Sequence, residues 1–105
     1  MHLDLNLNNK KEFIMGTIIS FKLVNGDEII GELEAEDAVS VTVKKPLTVV
    51  QTGQNAIAFV QIMFSVSEHT VIPYFYSGMA TAPVEASLEF SKVYKEKTSG
   101  LILGN

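Results

Sequence analysis

The 105-residue chain reads as a mainly β protein, a small and strongly bent five-stranded barrel followed by a C-terminal helix. Three observations predict this. Short runs in which apolar and polar residues alternate, the period of a half-buried strand, recur between residues 17 and 76. Asn25-Gly26 separates two of these runs and is a strong hairpin signal, because both central residues of a type I′ turn need positive φ, which Gly adopts freely and Asn tolerates. Gly31 sits inside the following run with no side chain to pack, which marks a sharp bend or a close approach of backbones. A small barrel requires such bending.

The elements follow in order. Residues 1–15 carry little periodicity; within them 6–13 suit either a short helix or a loosely ordered arm, and Met15-Gly16 is a second candidate start of translation. Residues 17–25 set Ile19, Phe21 and Leu23 against Ser20 and Lys22, giving the first strand. Residues 28–36 form the second, with Ile29, Leu33 and Ala35 on one face and Glu28, Glu32, Glu34 and Glu36 on the other. In the third, Val39, Val41 and Val43 alternate with Ser40, Thr42 and Lys44, and the strand extends past Pro46 through a bulge or edge, since proline lacks a ladder donor. A polar turn at 51–55 leads to residues 56–66, apolar on both faces and so suited to a central or covered position. Ser67, Glu68 and His69 turn the chain into a last strand, 70–76, whose Pro73 points to an edge. Pro83 suits a helix start, residues 84–97 are helix-compatible with lysines near their end, and Gly100 stops the helix before an apolar tail at 101–103. The chain thus divides into an N-terminal arm (1–15), a barrel (16–80) and a helix with tail (81–105).

Composition narrows the function. One domain of this length buries roughly 60–70% of its unfolded surface. There is no cysteine, which excludes disulfides and thiolate metal sites and fits a reducing compartment. No arginine occurs, eight lysines face twelve carboxylates, and a net charge of −4 opposes long-range attraction to phosphate. No apolar run is long enough to span a membrane, and the first thirteen residues are polar and asparagine-rich, unlike a secretory signal, so the expected location is cytoplasmic. A hydrophobic content of 47% is high for so small a monomer and predicts self-association.

The spacing Leu23-x-x-Gly26-x-x-x-x-Gly31-x-Leu33-x-x-x-Asp37 resembles the first Sm motif of the Sm, LSm and Hfq-type proteins. The resemblance spans one motif. It implies a short helix plus a five-stranded bent sheet, single-stranded RNA bound around a central pore, and a homo-oligomeric ring of about five to seven subunits joined by edge-strand pairing. A small acidic domain of this type with an added C-terminal helix also resembles the Sm-like proteins encoded by tailed phages of cyanobacteria, which implies a host cytoplasmic location. The chain departs from the family at Val39, where the pattern has a stacking residue, and at Val41, where it has Asn. It departs again at 65–69, where the apolar-Arg-Gly core of the second motif is missing.

The resemblance makes Asp37 and Val39 candidate RNA contacts; the plainer reading of Asp37 is a cap on backbone N–H groups at a strand corner. Further candidates are Lys44 and Lys45 with His69, or the aromatics Tyr74, Phe75 and Tyr76, with a solvated, charge-protected edge as the alternative for the lysines and core or interface as that for the aromatics. Phe59, Ile62, Phe64, Val71, Tyr74 and Tyr76 are the candidate oligomer interface, or else core. Glu32, Glu34 and Glu36, spaced about 7 Å along one strand face, suit a hard cation or plain solvation. Neither a phosphate loop nor a metal-ligand spacing appears, so no catalysis, cofactor or metal is expected, and neither DNA nor a membrane is an expected partner. The function expected is a non-catalytic, ring-forming Sm-like protein binding single-stranded RNA. The rival is an oligomeric scaffold or adaptor that uses the same fold to bind protein.

Overall fold

Apolar alternation builds the first hairpin as expected, though through a different turn. The computed structural model describes residues 13–67 and 69–104, and side chains as far as Ser99; the helix or arm anticipated at 6–13 falls almost wholly outside them. Strand β1 (Ile18–Lys22) pairs antiparallel with β2 (Glu28–Glu36). Between them the Gly26 N–H donates to the Leu23 carbonyl at 2.9 Å and the Leu23 N–H to the Asp27 carbonyl at 2.8 Å, so Val24 and Asn25 are the central turn residues. Only Gly26 of that pair takes a positive φ (+98°), as the residue after the turn. The hairpin therefore closes with a glycine bulge rather than a type I′ turn. The Asn25 side chain still contributes, accepting the Asp27 N–H at 2.9 Å.

Strand β3 (Ser40–Gly53) runs back along β2, its residues 41–49 pairing with 28–36, and turns into β4 (Ala56–Gln61). Its other edge is shared: β4 pairs with residues 47–53, and β5 (Val71–Phe75) pairs with residues 40–44. A 3₁₀ turn, Tyr76–Gly78, then sends the chain across to β1. There Val24 donates to the Gly78 carbonyl, Ala80 donates to the Lys22 carbonyl, and a short β6 (Val84–Glu85) pairs with Ile19 and Ser20. The result is one antiparallel sheet of six strands, ordered β4-β3-β2-β1-β6 with β5 also on β3. Its end strands do not pair with each other, so the sheet is open and not the closed five-stranded barrel expected from sequence.

The bend comes where Gly31 predicts it. The β2–β3 register slips between Ile30 and Glu32, leaving Lys45 and Pro46 opposite Gly31. A Cβ on Gly31 would collide with Val43 Cγ1 and stand 3.2 Å from the Pro46 Cα, so glycine is required by close approach of the two strands. Lys45 adopts φ +51°, unusual for lysine and for a residue preceding proline, which is normally extended. The extra residue on β3 increases local twist and folds the sheet over.

The two faces of the bent sheet carry separate apolar clusters. Ile19, Phe21, Ile29, Leu33, Val41 and Val43 form the inner one, with Tyr74, Tyr76 and Ile62 packed against it. On the opposite face Ile18 and Ile30 meet Tyr94, flanked by Leu47, Phe59 and Phe90. Tyr94 and Phe90 come from helix α1 (Leu88–Gly104). This helix starts four residues later than its sequence suggests, because Val84 and Glu85 continue the sheet and Ala86 still donates to the Ile18 carbonyl. Ser87 caps it, its Oγ accepting the Phe90 N–H at 3.1 Å. Leu88 and Val93 are exposed; Phe90, Tyr94 and Thr98, four residues apart, form the packed stripe. Gly100 does not end the helix. The strand expected over 56–66 stops at Gln61, and the one expected over 70–76 is Val71–Phe75.

Candidate functional site

Asp37 closes the turn between β2 and β3. Its Oδ1 accepts the N–H of Val39 and of Ser40, each at 2.9 Å, and the Ser40 hydroxyl at 3.3 Å, while its own N–H donates to the Ser40 carbonyl. The Val39 and Ser40 N–H groups, in that order, hold the carboxyl below the ordinary aspartate range. The capping reading of Asp37 thus describes what its carboxylate does in this chain. Val39 is 59% exposed beside it. Its carbonyl accepts the Tyr76 N–H at 2.9 Å, which draws the end of β5 onto the same corner. Burial first, then the charges of Glu36 and Asp37, push the Tyr76 hydroxyl above the usual phenol range. The corner is therefore an acidic one, able to hold a donor but repelling a phosphate.

Lys44 and Lys45 lie at the opposite end of the β3–β5 pairing. Lys44 faces Glu32 on β2 and Val71 on β5, and His69, two residues before Val71, borders the same end. Five residues separate Val39 from Lys44 along β3, about 17 Å of strand. Asp37 with Val39 and the lysines with His69 accordingly form two separate groups of candidate RNA contacts. Tyr94 organises the second group: its hydroxyl donates to the Lys44 and Lys45 carbonyls at 3.0 and 2.7 Å. Burial, reinforced by the negative charge of Glu32, raises that phenol far beyond its ordinary pKa. Nothing in the sequence singled out Tyr94; only the fold brings a helical tyrosine onto a bulge fifty residues away.

The candidate interface residues also divide. Phe59 packs on Phe90, with ring centroids 5.7 Å apart, and Tyr74 packs edge-on to Phe21 at 5.1 Å. Ile62 and Tyr76 join the inner cluster, so these four are spent within the chain. Phe64, 80% exposed, and Val71 remain on the surface. Because β5 alternates, Val71, Pro73 and Phe75 share its exposed side while Ile72, Tyr74 and Tyr76 turn inward. Of the three aromatics Tyr74, Phe75 and Tyr76, it is Phe75, 54% exposed, that remains on the surface.

Among the described residues, no group of three His, Asp or Glu side chains is arranged to hold a metal, and no helix is long and apolar enough to cross a membrane. Glu32 is half-buried against the bulge, whereas Glu34 and Glu36 are exposed beyond a second register shift. No known family model matches the chain, and no curated protein matches it.

Proposed function

We propose that this chain is a non-catalytic Sm-like protein that assembles with copies of itself into a ring through the free edge of β4. The observation that carries this reading is where the exposed apolar surface lies. Ile57 and Val60 on β4, and Met63 and Phe64 just beyond it, are 40–80% exposed on an edge with no proline in the strand. An unprotected apolar edge is a template for pairing with another chain. The edge of β5 is less suitable. Tyr76 donates its N–H toward β3, so by alternation Val71, Pro73 and Phe75 present their backbone nitrogens outward, and Pro73 has no proton to offer. The Gly31 bend and the motif around it support the Sm-like assignment.

Single-stranded RNA is the ligand class that the resemblance implies, with Lys44 and Lys45 supplying charge, His69 a ring at the same end of β5, and Phe75 a stacking surface. The adaptor reading draws on a different observation: Asp37 is engaged by its own turn in an acidic corner, and net charge is negative. Titration of labelled oligo-U with the purified protein at rising salt separates the two. RNA handling predicts saturable binding that weakens steeply with salt and falls in a Lys44→Ala, Lys45→Ala double variant. Absence of binding at low salt assigns the ring to protein partners.

A further inference from the structure

We propose that the cleft between α1 and the β4–β5 connection is a binding site for an amphipathic carboxylate, a single aliphatic chain ending in one anionic head. The cleft has a volume of about 370 Å³ and opens to solvent beside the Lys45 bulge. That volume lies at the lower end of the range of small-molecule sites, which are mostly apolar with a few convergent polar groups. Leu47, Phe59, Ile62, Val66 and Ile72 supply the apolar walls, from three strands and the connection.

The charged groups are of one sign, beside the neutral polar Gln61, Ser67, Thr70 and Thr98. Among the described residues, Lys45 and Lys97 are the two charged side chains lining the cleft, and none of the nine described aspartates and glutamates lines it. Ser67 accepts the His69 N–H through its Oγ at 3.0 Å, which leaves its hydroxyl proton for an acceptor in the cleft. An apolar body with cationic and hydroxyl donors at its mouth is complementary to an anion with an aliphatic tail; a cation or a neutral polar ligand would leave the ammonium groups unmatched.

The position of Lys45 strengthens the assignment. It holds a left-handed backbone, unfavourable for a lysine, that asparagine or glycine would adopt more readily. The Tyr94 hydroxyl, donating to its carbonyl at 2.7 Å, fixes that conformation from the same helix that contributes Lys97. The site lies within one chain and does not depend on ring formation.

The test is calorimetric titration of the full chain with decanoate below its micellar concentration, against decyltrimethylammonium and decanol. The expected result is saturable binding of one decanoate per chain, with decanol much weaker and the cation silent. Lys45→Asn, which suits the left-handed backbone, and Lys97→Gln should each weaken decanoate about fivefold or more, while Lys92→Gln, outside the cleft, leaves it unchanged. Circular dichroism of each variant verifies folding. Equal affinity for decanoate and decyltrimethylammonium, indifference to both cleft lysines, or no binding of decanoate would each overturn the proposal.

Discussion

Residues 40–44 and 47–53 belong to one strand and pair with one neighbour, yet they live in different environments. The first half of β3 is flanked by β2 and β5 and buries Ser40, Val41 and Val43 against the inner cluster. The second half is flanked by β2 and β4, has no fully buried residue, and ends in the exposed 51–53 segment. Between them stand Lys45 and Pro46, opposite Gly31 and held by Tyr94. Strand propensity is similar on both sides of the bulge; what differs is whether the strand's faces meet another layer. The first half is packed on both edges and into the inner cluster, whereas the second, with β4, leaves much of its surface exposed.

Breaking the hinge should have the largest effect. Gly31→Ala drives a methyl into Val43 and the Pro46 backbone and should cost about 3 kcal/mol, the upper end of overpacking, read by urea denaturation. Adding Val43→Ala should restore part of that loss, a coupling absent if the two sites act independently. Val43→Ala alone should cost about 2 kcal/mol from a fully buried site, whereas Val50→Ala, in the half-exposed second half, should cost less than about 0.5 kcal/mol. Similar values at the two positions would erase the contrast between the halves.

Smaller effects sharpen it. Tyr94→Phe keeps the packing of the outer cluster but leaves the Lys44 and Lys45 carbonyls without their donor; a loss of about 1–2 kcal/mol is expected. Tyr74→Phe should have the smallest effect and the opposite sign. The Tyr74 hydroxyl is buried with no hydrogen-bond partner among the described residues, and burial pushes its pKa up to about 12. The protonated phenol is thus favoured by folding. That contribution is present in full below about pH 10 and is lost as the pH climbs through about 12. Tyr74→Phe should match or slightly exceed the native stability at neutral pH and flatten its decline in alkali.

Much of the first half of the molecule was legible in sequence. The Asn25-Gly26 hairpin, the bend at Gly31, the alternation of Val41 and Val43 and the capping use of Asp37 all follow from local chemistry, which is decisive where strands are neighbours in sequence. Residues 84–87 were not legible, since Pro83 and helix-compatible residues suit a helix start, and only pairing with β1 makes them strand. Ser87 was the better start signal, as an N-cap ahead of Leu88. The left-handed Lys45 had no sequence signature at all, because lysine before proline favours extended backbone, and the Tyr94 hydroxyl that holds it arrives from a distant helix. The inward and outward sides of β5 were countable from Pro73 and Phe75, yet the aromatic run at 74–76 masked them.

The most direct test of the proposed assembly is the mass of the native chain in solution, measured by light scattering beside an Ile57→Lys, Val60→Lys variant. Both positions are exposed on β4, so the variant should unfold at nearly the native denaturant concentration. The proposal predicts a single closed oligomer for the native chain and dissociation in the folded variant, because lysines on an edge oppose pairing. A native chain that is monomeric at micromolar concentration, or an oligomer indifferent to both lysines, would contradict it.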